Sequence, residues 1–274
     1  MMTRRIAVVG VGGVGMAHVV AAGRLGYEVA VIVDRDPAVL ARARQAWRNQ
    51  FDEVDEFAPV QAGCRYFSNL RDQPNWPAVD VTILAVPPHT MERAAQQAAQ
   101  IWREALILCE KPLWLSDELR ASIGARLRLS GEYAYLRGLP DVMPCRAIGI
   151  ESTRPTMTTF WGYRLFMLHD YGPHLGSILL RHLGPPRRAG WESLTNKVDR
   201  FAGRLRWDDR LIEVEATRSE SVPYAWTFDG QPMHWELDLF DQQLASVECG
   251  VMPRGIEVIQ HIQSAGGVRS WTSS

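Results

Sequence analysis

The stretch Ile6-Ala7-Val8-Val9-Gly10-Val11-Gly12-Gly13-Val14-Gly15 decides the fold of this chain. It joins a short apolar run to glycines spaced as Gly-x-Gly-x-x-Gly. In a strand–turn–helix unit, the first glycine permits a tight turn, the second lets the backbone approach a pyrophosphate, and the third allows close packing of helix on strand. The pattern predicts a buried strand over residues 4–9 and a helix over residues 13–25, whose amino-terminal amides favour an anion.

A second strand with an acidic end completes this pattern. Residues 28–33 are mostly apolar, and Asp34 follows them, 19 positions after Gly15. A carboxylate there reaches the ribose hydroxyls of a dinucleotide and disfavours a 2′-phosphate. Arg35 can pair with such a phosphate, so the residues favour NAD and leave NADP open. The cofactor contacts predicted in this unit are Gly10, Gly12, Gly13, Val14, Gly15, Asp34 and Arg35.

Strands continue to alternate with helices up to about residue 130. This rhythm predicts a doubly wound parallel sheet with helices on both faces, and we assign residues 1–130 to one dinucleotide-binding domain. The further predicted elements are a helix from Asp36-Pro37 to about Asn49, strands over 65–67, 80–86 and 104–109, a helix after Pro87-Pro88, and a helix from Ser116 to about Leu129.

The rhythm changes after residue 130. Short β-like runs cluster together, so we expect residues 131–274 to form an α+β domain with an open antiparallel sheet. Turns are predicted at Asp208-Asp209 and Asp229-Gly230, and residues 266–274 are expected to be frayed. The predicted strands are 132–136, 146–152, 204–207, 211–217 and 224–228, and the predicted helices are 172–183, 235–249 and 256–263.

Composition limits the classes of function. The chain has 274 residues and a formal net charge of −1, which gives no electrostatic case for binding nucleic acid or an anionic membrane. No apolar run approaches the roughly 20 residues of a membrane span, and the amino terminus lacks the pattern of a signal peptide. The four cysteines are scattered, which is typical of reduced thiols in a cytoplasmic protein.

The ends of the parallel strands bring three segments together. Ligands of open α/β sheets bind outside the carboxyl ends of the strands, where the glycine turn, Val86-Pro87-Pro88 and Glu110-Lys111-Pro112 should meet. Lys111 is one of only two lysines, the other being Lys197. Its ammonium can donate to a substrate oxygen, or serve as a base if burial favours the neutral form. The alternative is an exposed loop lysine beside Glu110.

Asp170-Tyr171-Gly172-Pro173-His174 is the second candidate for chemistry. Gly172-Pro173 suits the start of a helix, which Asp170 would cap. His174 would then lie in the first turn, where the carboxylate favours one tautomer and stabilises the imidazolium. The alternative is a capping aspartate and a half-buried histidine. A zinc site with His169 lacks a convincing fourth ligand, so we expect no metal.

Taken in order, four motifs resemble one family. They are the glycine turn with Asp34-Arg35-Asp36-Pro37, Leu84-Ala-Val-Pro-Pro88, Cys109-Glu-Lys-Pro-Leu113 and Asp170-x-Gly172-x-His174. The chain resembles the glucose-fructose oxidoreductase / inositol dehydrogenase (Gfo/Idh/MocA) family. The resemblance implies a Rossmann domain, followed by an open-faced sheet that forms homodimers or homotetramers.

The resemblance also implies NAD(P)-dependent hydride transfer at a carbinol or carbonyl, commonly of a sugar. It makes Lys111 the residue that hydrogen-bonds the reacting oxygen and the cofactor ribose, Asp170 the residue that orients the substrate, and His174 the acid/base. It adds Val86, Pro87, Pro88 and Glu110 to the cofactor contacts. Two alternatives remain: an imine reductase of a biosynthetic pathway, and a catalytically silent NAD-binding sensor or corepressor.

Overall fold

The computed structural model divides the chain into two compact units. Met1–Ser130 and Phe240–Pro253 form the first unit, and Gly131–Leu239 and Arg254–Ser274 form the second. The predicted division into 1–130 and 131–274 did not include a return of the chain to the first unit. The structure describes residues 4–51, 64–71, 75–111, 113, 115–130, 147–152, 167–197, 200–218, 224–233, 243–244, 256, 259 and 271–272.

A six-stranded parallel sheet forms the centre of the first unit. Its strand order is β3-β2-β1-β4-β5-β6, so the chain reverses direction of winding between β1 and β4. Such a reversal opens a crevice above the carboxyl ends of the two strands. The elements are β1 (Arg5–Val9), α1 (Gly13–Arg24), β2 (Glu28–Val33), α2 (Pro37–Phe51), β3 (Arg65–Phe67), β4 (Val81–Leu84), α3 (Pro88–Ile101), β5 (Leu106–Cys109), α4 (Asp117–Ile123) and β6 (Leu127–Leu129).

Continuous apolar strands explain why this sheet forms. Strands of a parallel sheet are covered by helices on both faces, so they are apolar without alternation. Ile6, Val8, Ile32 and Ile83 are each at most 1% exposed. Leu244, from the segment that returns to this unit, is completely buried in the same core. The predicted doubly wound parallel sheet is confirmed.

The prediction of a helix up to Leu129 was wrong at its end. The helix stops at Ile123, and Gly124 adopts φ of +58°, which is a conformation that favours glycine. A 3₁₀ turn follows, and Leu127–Leu129 then pairs with β5 as a sixth parallel strand. Both leucines are at most 1% exposed, so burial against the sheet outweighs their helix propensity.

A seven-stranded sheet forms the second unit, in the order β12-β11-β7-β10-β9-β8-β13. Its pairs are antiparallel except that of β7 with β10, which is parallel, so the sheet is mixed. The elements are β7 (Ala147–Ser152), α5 (Met167–Leu183), β8 (Arg188–Asn196), β9 (Arg200–Trp207), β10 (Arg210–Arg218), β11 (Tyr224–Phe228), β12 (Gln231–Met233) and β13 (Trp271–Thr272).

Two tight turns in this sheet confirm their predictions. Asp208 and Asp229 have φ of 53° and 49°, and Gly230 has φ of 78°. Asp tolerates this region better than most residues, and glycine enters it without steric cost. The turns connect β9 to β10 and β11 to β12.

Other elements of the second unit differ from prediction. Arg188–Asn196 forms a nine-residue strand that was not expected, and Trp271–Thr272 pairs with it, where a frayed terminus was predicted. The predicted strand 132–136 lies outside the described residues. The predicted helices 235–249 and 256–263 lie mostly outside them, although residues 243–244, 256 and 259 are helical. None of the described helices is long and apolar enough to cross a bilayer.

Candidate cofactor and catalytic site

A row of residues lies along the carboxyl edge of the first sheet, one after each of five strands. Each backbone N–H in the row donates to the last carbonyl of the neighbouring strand, at 2.7–3.1 Å. The strand order therefore places predicted cofactor and catalytic segments side by side. Across the edge the row is Asp34, Gly10, Ala85, Glu110 and Ser130.

The glycine turn is built around two close approaches. Gly10 has φ of +84°, and a Cβ there would meet the Ala85 carbonyl oxygen at 2.5 Å. A Cβ at Gly15 would overlap the Gly10 carbonyl group and come within 3.4 Å of Ala85 Cβ. The first glycine thus serves the turn and the third serves helix–strand packing, as the sequence predicts.

The middle of the turn faces open space. No described heavy atom beyond the immediate neighbours lies within 4 Å of a Cβ built at Gly12 or Gly13. Val14 is 38% exposed, and α1 begins at Gly13 with no side-chain cap on its first amides. Exposed backbone amides at a helix amino terminus suit a pyrophosphate. The turn therefore fits a dinucleotide.

Asp34 is held by the turn that it borders. Its Oδ2 accepts a hydrogen bond from Val11 N, and its Oδ1 accepts one from Asp36 N, each at 2.9 Å. Each carboxylate oxygen has a second lone pair, so two ribose hydroxyls can still donate to this side chain. Arg35 is exposed, directly beside the carboxylate.

The segment after β4 borders the same turn. Val86 Cγ1 would lie 3.0 Å from a Cβ at Gly10, which places Val86 against the glycine turn. Pro88 is buried at the first position of α3, where its missing N–H costs no helical hydrogen bond. Val86 and Pro87 are half-buried at this edge.

Glu110 is a buried carboxylate. Its Oε1 lies 2.6 Å from Nε2 of His18 on α1, and the residue is 4% exposed. Burial alone would raise the pKa of the Glu110 carboxyl group, but the hydrogen bond and attraction of His18, a hydrogen bond from Ser130 and the charge of Lys111 together lower it. Glu110 is therefore ionised at neutral pH, and its burial makes it an internal anion beside Lys111.

Lys111 is half-buried and follows Glu110 directly, at the carboxyl end of β5. It belongs to the first unit, together with every predicted cofactor contact. Asp170 and His174 belong to the second unit, on α5.

The prediction that α5 begins at Gly172 was wrong. The helix starts at Met167, so Asp170 is not its cap and Pro173 lies inside it. Leu168, Tyr171 and Leu175 are at most 5% exposed and belong to the core that α5 shares with the second sheet. Burying this face outweighs the signal of Gly-Pro for a helix start.

His174 thus lies in the second turn of α5, 1% exposed, and not half-buried. Positions 170 and 174 are four residues apart, on one side of the helix. The side chain of Asp170 lies outside the described set. Ser177 Oγ donates to the Pro173 carbonyl oxygen at 2.7 Å, inside the same helix.

Three buried polar residues of the first unit were not predicted from the sequence. His18 and Ser130 are completely buried, and Gln243 is 2% exposed. Ser130 Oγ lies 3.4 Å from Gln243 Oε1 and also hydrogen-bonds Glu110. A histidine on the buried face of an otherwise apolar helix was the one available signal, since burial of such a group requires a partner.

Comparison with known proteins agrees with this geometry. Residues 4–123 match the profile of the Gfo/Idh/MocA family, described as an oxidoreductase family with an NAD-binding Rossmann fold. No protein of curated function matches the chain significantly.

Solved structures share the fold over the whole chain. The WlbA (WbpB) dehydrogenase from Thermus thermophilus, in complex with NAD and UDP-GlcNAcA, aligns at TM-score 0.65 and 18% identity, covering 100% of this chain and 97% of its own. GenD2 from gentamicin A biosynthesis, in complex with NAD, aligns at 0.66 and 17%, covering 100% and 97%. A myo-inositol dehydrogenase from Corynebacterium glutamicum aligns at 0.66 and 14%, covering 100% and 99%.

These identities show a common fold, and the profile match covers the unit that holds the glycine turn, Asp34 and Lys111. The NAD-binding unit of this chain, over residues 4–123, therefore matches the Gfo/Idh/MocA oxidoreductase family.

Proposed function

We propose that this NAD-dependent oxidoreductase interconverts a carbinol and a carbonyl on a small, polar, sugar-like molecule. When bound, NAD accepts a hydride from the carbinol carbon or returns it to the carbonyl. The observation that carries the proposal is the buried Glu110 anion directly before Lys111, at the sheet edge that also holds the glycine turn. A lysine at this edge would supply the positive charge that a developing alkoxide needs.

Lys111 would donate a hydrogen bond to the reacting oxygen. An ammonium with an adjacent anion stays protonated and can stabilise negative charge on that oxygen in both directions of the reaction. Val86, Pro87 and Pro88 would form the apolar side of the cofactor site.

His174 would take the hydroxyl proton in oxidation and return it in reduction. Asp170 would orient His174 and the substrate from one helical turn away. Oligomerisation through the second sheet, as homodimer or homotetramer, belongs to the same proposal.

The named neighbours support a polyol-like substrate. Two of the aligned structures are named as dehydrogenases, one in complex with a UDP-sugar acid and one of myo-inositol. A substrate of this kind carries many hydroxyl groups, which lysine, aspartate and histidine side chains can hydrogen-bond.

A screen of NADH consumption over ketoses, inosose and cyclic imines, with NAD reduction over the matching alcohols, tests the proposal. With a responsive carbonyl, His174→Ala should lower kcat by about 10²- to 10⁴-fold, the usual contribution of a general acid–base. Lys111→Ala should lower kcat/KM by at least about tenfold. Lys197→Ala is the matched control, because Lys197 is the other lysine and is exposed in the second unit.

The same screen separates the alternatives. Turnover of an imine that survives His174→Ala identifies an imine reductase, since its proton donor lies elsewhere. Tight NADH binding without hydride exchange on any compound identifies a sensor. Turnover of Lys111→Ala within about threefold of wild type, under ~1 kcal/mol, rejects the role of Lys111.

A further inference from the structure

A buried imidazole–carboxylate contact joins two distant segments of the first unit. His18 lies on α1, the helix of the glycine turn, and Glu110 follows β5. Their side chains are 0% and 6% exposed, and Nε2 of His18 lies 2.6 Å from Oε1 of Glu110. His18 is not among the predicted cofactor or catalytic residues.

The donor in this contact is His18. An ionised carboxylate only accepts hydrogen bonds, so Nε2 of the imidazole must carry the proton. The pair is shielded from water, and removal of one partner would leave the other polar group buried without compensation. Glu110 therefore depends on His18, and on the weaker contact with Ser130, to remain an anion inside the protein.

The anion in turn acts on Lys111. The two residues are adjacent in the chain, and their charges attract each other, as the effect of Lys111 on the pKa of Glu110 indicates. If Glu110 became protonated or turned away, Lys111 would lose a fixed negative charge at its side. Its neutral form would then be more populated.

We propose that His18 is a positioning residue, which acts through Glu110 to fix the place and the charge of Lys111. Because His18 lies on the helix that follows the glycine turn, it links the phosphate end of the cofactor site to the lysine. The effect on Lys111 stands on the His18–Glu110 contact and on the attraction between Glu110 and Lys111, whereas the effect on cofactor binding rests on the proposed function.

The presence of only two lysines permits a direct test. A brief acetylation pulse at pH 8, followed by peptide mass spectrometry, gives the labelling ratio of Lys111 to Lys197, and the exposed Lys197 serves as internal reference. In His18→Leu the ratio should rise at least about threefold, which corresponds to half a pKa unit. His18→Gln, whose amide can still donate to Glu110, should return the ratio to within about twofold of wild type.

Val19→Ala is the matched structural control. Val19 is the next residue of α1, is completely buried, and belongs to the core of the first unit. Its truncation should lower the melting temperature and leave the labelling ratio unchanged. A ratio that rises equally in Val19→Ala, or that does not rise in His18→Leu, overturns the proposal.

Glu110→Gln keeps the test decisive if His18→Leu does not fold. Glutamine preserves the volume of Glu110 and an acceptor for His18, but it removes the charge beside Lys111. The ratio should rise as in His18→Leu, and an unchanged ratio overturns the proposal.

Cofactor binding supplies the second readout. His18→Leu should weaken NADH binding at least about fivefold and change binding of ADP, which has neither nicotinamide nor its ribose, by less than about twofold. Equal weakening of both ligands contradicts positioning through Lys111. Failure of the wild-type protein to bind either ligand would refute the proposed function, while the labelling ratio would still decide the role of His18.

Discussion

Adding one methyl group at Gly15 tests how closely α1 packs onto β1. A Cβ at this position would overlap the carbonyl oxygen of Gly10 and lie 2.9 Å from its carbonyl carbon. Both atoms belong to the backbone of the turn, which is itself fixed by the hydrogen bond from Gly10 N to the Val33 carbonyl, at 2.7 Å. Neither can move without shifting a strand end.

The magnitude follows from two opposing effects. Overpacking against a rigid core costs about 1–3 kcal/mol, and contact with backbone places Gly15→Ala near the upper limit. Alanine gains about 1 kcal/mol over glycine in a helix, which offsets part of this cost. We expect a net destabilisation of about 2 kcal/mol, or a fall in melting temperature of about 8 °C for a unit of this size.

Gly13→Ala is the matched control within the same turn. A Cβ there meets no described atom within 4 Å beyond its neighbours, and Gly13 is the first residue of α1. Its melting temperature should equal or exceed that of wild type, as followed by circular dichroism or dye fluorescence. If Gly15→Ala melts within about 2 °C of Gly13→Ala, close helix–strand packing is not the role of the third glycine.

Three further expectations concern charge and burial. Asp34→Asn removes the charge that disfavours a 2′-phosphate, so the variant should bind NADPH about tenfold more tightly than wild type, as measured by fluorescence titration. An unchanged NADPH affinity would mean that another residue determines the preference for NAD over NADP. The pKa of Glu110 is lower in the folded protein than in the unfolded chain, so its ionised form stabilises the fold above the usual carboxyl pKa of about 4.3 and this stabilisation is lost as pH falls. In urea titrations at pH 7, the free energy of unfolding of Glu110→Gln should thus be about 2 kcal/mol lower than that of wild type. This difference in free energy should become smaller toward pH 3, and a difference that does not depend on pH would contradict the buried anion. Burial raises the pKa of the half-buried Cys64 to about 12 and that of the buried Cys109 further, so both thiols should resist iodoacetamide at pH 8 until urea unfolds the chain, and rapid labelling of the native protein would contradict the raised pKa values.

The first sheet could be predicted because its signals are local. β1, β2 and β5 are largely apolar runs that are followed by Gly10, Asp34 and Glu110, and parallel strands of this type are buried on both faces. β6 escaped prediction because its three residues follow a helix and favour helix themselves. Only its pairing with β5, in which Leu129 lies opposite Cys109, makes it a strand.

At the start of α5, a strong local signal led to a wrong prediction. Gly172-Pro173 is a strong local signal for a helix start, yet five residues before it are helical. Leu168 is completely buried in the core of the second unit, so tertiary packing decides where this helix begins. The motif that contains Asp170 and His174 could be found from sequence, but the backbone that carries it could not.

The buried polar groups around Glu110, the residue before Lys111, could not be predicted from the Glu-Lys-Pro motif. Besides Lys111, the neighbours that lower the pKa of Glu110 come from α1 and from the end of β6. In sequence, His18 and Ser130 lie 92 and 20 positions from Glu110, so no short pattern includes them. The fold brings His18 and Ser130 to Glu110, because β6 is the neighbour of β5 in the sheet and α1 follows β1 of the same sheet. A Glu-Lys-Pro motif therefore indicates which lysine follows a strand end at this edge, whereas the charge of the glutamate before it depends on the whole folded unit, and we expect variants at His18 to affect Lys111 as directly as variants at Glu110.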